Sequence, residues 1–256
     1  MRREPKKASS IKEAYYELTK PSITIMILIS TALGYFMGGN GISNYQHFIL
    51  TLVGSCLISS GSGALNHFAE AESDKIMYRT NLRPIPAGII SSENAMIFGV
   101  SLILIGSVML YFFINPLTCV LALVTSMMYL FIYTPLKKLT WLNTPIGAIP
   151  GSIPPIGGWV AATGSLDPEA WIFFAILFFW QHPHFYAIAL MFKDDYKKAG
   201  LKMLPVVEPD GSRTNRQIIW HSLLLIPVSL VPVYINLLDS IYFWTALILG
   251  IGYLIS

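Results

Sequence analysis

Residues 21–69 read PSITIMILISTALGYFMGGNGISNYQHFILTLVGSCLISSGSGALNHFA, a run of 49 residues without Asp, Glu, Lys or Arg. A helix needs about 20 apolar residues to cross a bilayer, so this run can form two such helices. The whole chain has a similar character, since 54% of its 256 residues are hydrophobic and only 12% are charged. Average soluble domains carry roughly twice that charged fraction. The composition excludes a water-soluble globule and a disordered chain, and predicts an integral membrane protein.

The remaining charge-free stretches extend the same pattern to the end of the chain. We predict an all-α polytopic membrane protein with eight transmembrane helices. The helices are expected at about residues 22–39, 47–65, 95–114, 117–136, 145–163, 170–192, 217–237 and 240–256.

The distribution of basic residues predicts the orientation of these helices. With eight spans, all 17 Lys and Arg residues fall on the side of the N-terminus, and the opposite turns contain none. The positive-inside rule places the N-terminus and both charged loops in the cytoplasm. We therefore expect a multi-pass protein of the cytoplasmic membrane of a prokaryote. The net charge of +3 follows from this topology and indicates no nucleic-acid partner.

The chain divides into a short leader and one domain with two similar halves. Residues 1–20 form a basic cytoplasmic segment, and residues 21–256 form a single intramembrane domain. Each half consists of a helix pair, a long charged loop and a second helix pair, so two polar loops would face each other over a central cavity. The halves cover residues 21–136 and 139–256, their loops cover 66–93 and 193–216, and the Pro- and Gly-rich stretch 145–159 is expected where the halves meet.

The first loop carries the spacing of a metal site. Asn66, Glu70 and Asp74 recur every four residues, so they share one stripe of a helix. Carboxylate and amide oxygens suit Mg²⁺, whose shell substrate phosphates often complete. Lys75, Arg79 and Arg83 repeat at the same spacing on a neighbouring stripe, and arginine binds phosphate oxygens bidentately. The alternative is a solvated loop in which these acids and bases simply pair with one another.

The second loop repeats the pattern of acids followed by bases. Asp194 and Asp195 precede Lys198 and Lys202 at helical spacing. Two such loops at matching places in the two halves favour a diphosphate held by two Mg²⁺ ions over simple loop solubility.

Several motifs together resemble one known family. The resemblance is to the protoheme IX farnesyltransferases (heme O synthases) within the UbiA-type intramembrane prenyltransferases. It rests on four segments: Asn66-x3-Glu70-x3-Asp74-x2-Met77-x-Arg79-Thr80-x2-Arg83-Pro84; Tyr133-Thr134-Pro135-Leu136-Lys137-Lys138, continued by Pro154-Pro155-x2-Gly158-Trp159; Trp180-Gln181-x-Pro183-His184-Phe185; and Asp195-Tyr196-x2-Ala199-Gly200-x2-Met203-Leu204-Pro205. Three departures accompany it. Glu70 stands where many members have Asp, and Lys202 stands where proline is usual. Most members have nine helices, whereas eight are predicted for this chain.

The resemblance implies a reaction and a set of site residues. The family transfers the farnesyl group of farnesyl diphosphate to the 2-vinyl group of heme B, giving heme O and diphosphate for heme A and terminal oxidase assembly. It implies Mg²⁺ as cofactor and heme A synthase as a candidate partner. The implied metal ligands are Asn66, Glu70, Asp74 and Asp195; the catalytic set adds Arg79 and Arg83; the implied substrate contacts are Lys75, Lys137, Lys138, Lys198, Tyr133, Trp180 and His184.

The heme contacts stay open at this point. His182 and His184 lie about 200° apart on a helix and cannot bind one metal from the same face. His184, inside the family motif, is the better candidate for the heme iron or a propionate, and a hydrogen-bonded helix-end histidine is the alternative. Packing or an interface position is the more common role for a residue such as Trp180, and stacking on the porphyrin is the alternative. The offset of His67 from Asn66, about 100° around the helix, favours a supporting or bystander role.

Two rival functions remain. A related prenyltransferase acting on a quinone or chlorin precursor would share the fold and the acidic loops. A small-molecule transporter would share the repeated halves and broken helices. Transporters commonly carry charge at the membrane midplane, whereas every charged residue here lies in or beside a predicted loop.

Overall fold

The computed structural model describes residues 7–255, which contain helices and turns but no β-strand. In chain order the helices are α1 (Ile11–Leu18), α2 (Pro21–Gly38), α3 (Tyr45–Ile76), α4 (Ser92–Phe113), α5 (Pro116–Met127), α6 (Thr134–Leu139), α7 (Asn143–Ser152), α8 (Pro154–Thr163), α9 (Ala170–Met191), α10 (Lys193–Lys198), α11 (Leu204–Val207), α12 (Ser212–Tyr234) and α13 (Ser240–Ile255). A π-helical turn, Met128–Tyr133, joins α5 to α6.

Within residues 7–255, six helical segments are long and apolar enough to cross a membrane: α2, α3, α4, the continuous run Pro116–Leu139, α9 and α12. They coincide with six of the predicted spans, and only α3 extends more than a few residues beyond its expected end. The predicted fifth span consists of two ten-residue helices, and α13, with 16 residues, lies at the predicted eighth position. The predicted all-α polytopic class is confirmed.

Helix α3 is much longer than its predicted span. At about 1.5 Å per residue, its 32 residues extend about 48 Å, well beyond a hydrocarbon core of roughly 30 Å. It ends at Ile76 because the backbone of Met77 is extended. The residues of the first charged segment up to Ile76 therefore lie on the continuous helix α3, in agreement with the four-residue spacing of Asn66, Glu70 and Asp74.

Glycines bring α3 and α4 into close contact. A Cβ added to Gly61 would lie 2.5 Å from the carbonyl oxygen of Gly99, and one added to Gly106 would lie 2.8 Å from that of Gly54. Only glycine permits this backbone approach, which is how small residues stabilise helix pairs in membranes. The pair holds the long α3 helix firmly along α4.

The Pro- and Gly-rich stretch breaks into α7 and α8 at Ile153. On α7, the Gln181 side chain from α9 passes over Gly151, where any Cβ would overlap with it, and donates to Ser152 Oγ at 2.8 Å. Helix α8 packs on α2, and a Cβ on Gly158 would overlap with the α2 backbone. This broken span thus connects helices of the two predicted halves.

Candidate active site

Three oxygen-bearing side chains of α3 each bind a cation from a different part of the chain. Lys20 Nζ, just before α2, donates to Asn66 Oδ1. Lys137 Nζ, on α6, lies 2.7 Å from Glu70 Oε1. In the loop after α3, Arg83 Nη1 lies 3.0 and 2.8 Å from the two oxygens of Asp74. We call these six residues the ion cluster.

The amide of Asn66 has a defined orientation. Its Nδ2 donates to Thr134 Oγ1 at 2.9 Å, and that hydroxyl donates to the Tyr129 carbonyl at 2.8 Å. A carbonyl oxygen can only accept, so the single hydrogen of the Thr134 hydroxyl is used in the bond to Tyr129. The Thr134 oxygen must therefore accept the hydrogen bond from Asn66. The Asn66 oxygen therefore faces the cation, as a metal ligand requires.

Lys20 belongs to the ion cluster although sequence reasoning placed it in the basic leader. Its backbone is left-handed, with φ of 49°, and its side chain lies over Gly63, where a Cβ would come within 3.3 Å of it. Its Nζ also donates to Tyr129 Oη at 3.2 Å. Burial, reinforced by the charge of Arg83, lowers the pKa of Lys20 to about 7. The only sequence signal was its position directly before the charge-free run.

The π-helical turn contributes the aromatic side of the cluster. The rings of Tyr129 and Tyr133 stack with centroids 5.7 Å apart, and Lys137 Nζ lies 4.5 Å above the Tyr133 ring. Gly147 on α7 makes room for that ring. Single π-helical turns occur often at functional sites. Lys138, a predicted substrate contact beside Lys137, is exposed.

The predicted basic stripe after Asp74 does not form, which corrects the sequence expectation. Helix α3 ends before Arg79 and Arg83 because Met77 is extended. Lys75 is exposed and pairs with Glu72 at 2.6 Å. Arg79 stacks on the Phe192 ring at 4.9 Å, while Arg83 folds back onto Asp74.

The second acidic loop packs against the first, as the pattern of two facing loops predicted. Met77 lies in one apolar cluster with Leu201 and Met203, flanked by Tyr196. The Lys202 N–H donates to the Lys137 carbonyl at 2.6 Å.

Within this second loop the expected acid–base pairing is not found. Asp195 lies half-buried on the short helix α10, and Lys198 is exposed. Within residues 7–255, neither Asp194 nor Asp195 makes the expected ion pairs with Lys198 and Lys202.

The histidines of α9 separate into two environments. His184 and Trp180 are exposed and stack on each other with centroids 5.0 Å apart. His182 is buried and stacks on His221 of α12 at 3.9 Å, a pairing that the sequence did not reveal. His67 is also buried, and its Nδ1 has no hydrogen-bond partner among the residues described.

The donor set of the ion cluster fits a hard divalent cation. An amide oxygen and two carboxylates lie on successive turns of one helix, and each already faces a positive group. Within the described range, no three His, Cys, Asp or Glu residues converge as a ready-made metal cage. Carboxylate and amide oxygens are ligand types that Mg²⁺ takes, with phosphate and water at its other positions.

A model of the UbiA prenyltransferase family matches residues 27–256. The chain belongs to this family. Among curated relatives, the protoheme IX farnesyltransferase of Solibacter usitatus is 47% identical over 94% of this chain and 86% of the relative. That of Koribacter versatilis is 43% identical over 94% and 79%, respectively. These matches confirm the resemblance drawn from the motifs.

Solved structures of UbiA-type proteins share the fold. A structure described as digeranylgeranylglyceryl phosphate synthase aligns with a TM-score of 0.79 at 19% identity, covering 96% of this chain and 85% of that one. A UbiA homolog from Archaeoglobus fulgidus, described as bound to GPP and Mg²⁺, aligns with a TM-score of 0.76 at 17% identity, covering 94% and 86%.

Proposed function

We propose that this UbiA family member transfers the farnesyl group of farnesyl diphosphate to the 2-vinyl group of heme B, giving heme O and diphosphate. The observation that carries the proposal is the ion cluster. In it, oxygens that can bind a metal ion lie beside cations that can bind phosphate, at the end of a membrane-spanning bundle. The heme substrate is supported by the names of the relatives, which are protoheme IX farnesyltransferases.

Asn66, Glu70 and Asp74 are the proposed Mg²⁺ ligands, and Asp195 is the proposed ligand of a second ion. When bound, Mg²⁺ supplies positive charge that stabilises the departing diphosphate. The Mg²⁺ and prenyl diphosphate in the Archaeoglobus fulgidus homolog support a divalent ion in this role.

The cations of the cluster are the proposed diphosphate clamp. Lys137 and Arg83 now neutralise the carboxylates of Glu70 and Asp74, and Lys20 donates a hydrogen bond to the Asn66 oxygen. A metal ion on those oxygens would release the three cations to donate hydrogen bonds to diphosphate. Arg79, Lys75, Lys138 and Lys198 are proposed to complete the clamp from the loops.

The remaining substrate contacts surround the reacting groups. Tyr133 presents an electron-rich ring beside the clamp, which suits a developing allylic cation. His184, with its exposed ring stacked on Trp180, is the proposed contact for the heme iron or a propionate. An intramembrane site suits both substrates, since a farnesyl chain and a porphyrin are poorly soluble in water.

We further propose that both acidic loops face the cytoplasm of a prokaryote and that heme A synthase receives the product. Membership in a prenyltransferase family argues against the transporter alternative. A quinone or chlorin acceptor is the remaining rival, and the relatives' names argue against it.

Product analysis tests the proposal directly. Membranes containing the protein would receive heme B and farnesyl diphosphate, with Mg²⁺ or with EDTA, and the extracted hemes would be weighed by mass spectrometry. We expect a Mg²⁺-dependent mass gain equal to one farnesyl group plus one hydroxyl group, which converts the vinyl group into a hydroxyethylfarnesyl group. Prenylation of an added aromatic acid in place of heme would overturn the heme assignment and leave the fold and the clamp intact.

A further inference from the structure

Two serine hydroxyls lie one helical turn from the ion cluster, deeper in the bundle. Ser62 precedes Asn66 by four residues on α3 and therefore lies on nearly the same face. Its Oγ is 2.6 Å from Ser126 Oγ on α5, and both side chains are buried. This pair joins the helix that carries the metal ligands to the helix that leads into the π-helical turn.

The direction of the hydrogen bond between the serines follows from its neighbours. Ser62 Oγ donates at 2.8 Å to the carbonyl of Ile58, which can only accept. Since a hydroxyl has one hydrogen, Ser126 must donate to Ser62. The Ser126 oxygen is then an acceptor with free lone pairs, and no donor to it is found within residues 7–255.

We propose that Ser126, oriented by Ser62, positions the water molecule that becomes the hydroxyl group of the farnesylated heme. The inference rests on the proposed function. With diphosphate at Asn66, Glu70 and Asp74, the carbon bonded to its oxygen extends away from the clamp. One helical turn is about 5.4 Å, so the serine pair lies about one turn deeper than Asn66, where we expect that carbon to meet the vinyl group.

The chemistry requires one water and no oxidant. The bond between C1 and the diphosphate oxygen breaks with its electron pair leaving on diphosphate. The vinyl π electrons form the new carbon–carbon bond and leave a cation on the carbon next to the porphyrin. The oxygen of the water held by Ser126 then adds to this cation, and the released proton goes to diphosphate. Without a positioned water, the cation instead loses a proton from the adjacent carbon to diphosphate and forms an alkene.

The ratio of hydrated to dehydrated product therefore tests the proposal. The purified protein in nanodiscs would react with heme B, farnesyl diphosphate and Mg²⁺, and mass spectrometry would resolve the two products. For Ser126→Ala we expect the ratio to fall about tenfold, and total farnesyl transfer to stay within about threefold of the original protein. Ser126→Thr keeps the hydroxyl and should restore the ratio.

A second variant and a control make the result decisive. Ser62→Ala frees the Ser126 hydrogen and should also lower the ratio. Ser107→Ala removes a hydroxyl on α4 that bonds to its own helix, and should leave the ratio unchanged. An unchanged ratio in Ser126→Ala or Ser62→Ala would overturn the proposal. So would complete loss of farnesyl transfer in a folded Ser126→Ala protein, because the water acts after carbon–carbon bond formation. No farnesylated heme from the original protein would instead reject the proposed function.

Discussion

Glu70 and Glu72 lie two residues apart on one helix in opposite environments, so substituting each tests the ion cluster. Glu70 Oε1 lies 2.7 Å from Lys137 Nζ, and both side chains are nearly buried. The Glu72 side chain is 80% exposed, and within residues 7–255 its ion pair is with the half-exposed Lys75. Glu70→Gln removes one negative charge from the cluster and changes almost no volume.

The expected magnitude follows from electrostatics. A unit charge about 4 Å from a cation, at an effective dielectric constant of about 20, is worth about 4 kcal/mol. This energy corresponds to a loss of turnover of about 10³-fold, with a higher Mg²⁺ concentration for half-maximal activity. Loss of the partner of Lys137 should also lower the free energy of unfolding by about 2–3 kcal/mol, somewhat less than for a fully buried pair.

Glu72→Gln is the matched control and should change turnover by less than twofold and stability by less than about 0.5 kcal/mol. The assay is heme product formation across a Mg²⁺ titration, with thermal unfolding in detergent to confirm folding. Retention of more than a tenth of the activity by Glu70→Gln, or a larger loss in Glu72→Gln, would refute the assignment of the stripe.

Further predictions concern the clamp, the helix packing and the loop opposite the ion cluster. Lys137→Met should raise the KM for farnesyl diphosphate at least about tenfold, while Lys137→Arg keeps the charge and should recover most of the affinity. Gly158→Ala places a Cβ into the α2 backbone and should lower stability by about 2 kcal/mol or more in thermal unfolding, whereas Gly157→Ala meets no atom within 4 Å and should be neutral. Trp159 Nε1 donates to Asp167 at 2.8 Å and holds the pKa of that carboxyl below its ordinary value. The stabilisation from this hydrogen bond should be complete above about pH 4 and should be lost as the pH falls through the lowered pKa of Asp167. Asp167→Asn should remove this part of the pH dependence of the unfolding temperature.

Local chemistry was enough to predict most of the helices. Backbone groups in a bilayer must bond within a helix, so charge-free stretches of sufficient length predict spans directly. The end of α3 was harder to predict, because acidic and basic residues recur at helical spacing from Glu70 through Arg83 without a break that marks the end of the helix. The extended backbone at Met77, which packs against Leu201 and Met203 of the second loop, ends the helix there.

In the candidate site, the oxygen ligands were predictable from the sequence, whereas their cation partners were not. The sequence by itself determined the candidate oxygen ligands, because residues spaced four apart, such as Asn66, Glu70 and Asp74, share one face of an α-helix. Which cations meet them depended on contacts between distant segments. Lys20 lies 46 residues from Asn66, and Lys137 lies 67 residues from Glu70, and no local spacing encodes such pairs. Tertiary structure alone decided that Lys137 rather than Lys138 enters the cluster, that Arg83 folds back while Arg79 does not, and that His182 rather than His184 is buried. The physical reason is that helix periodicity sets which side chains share a face, whereas helix packing sets what that face meets.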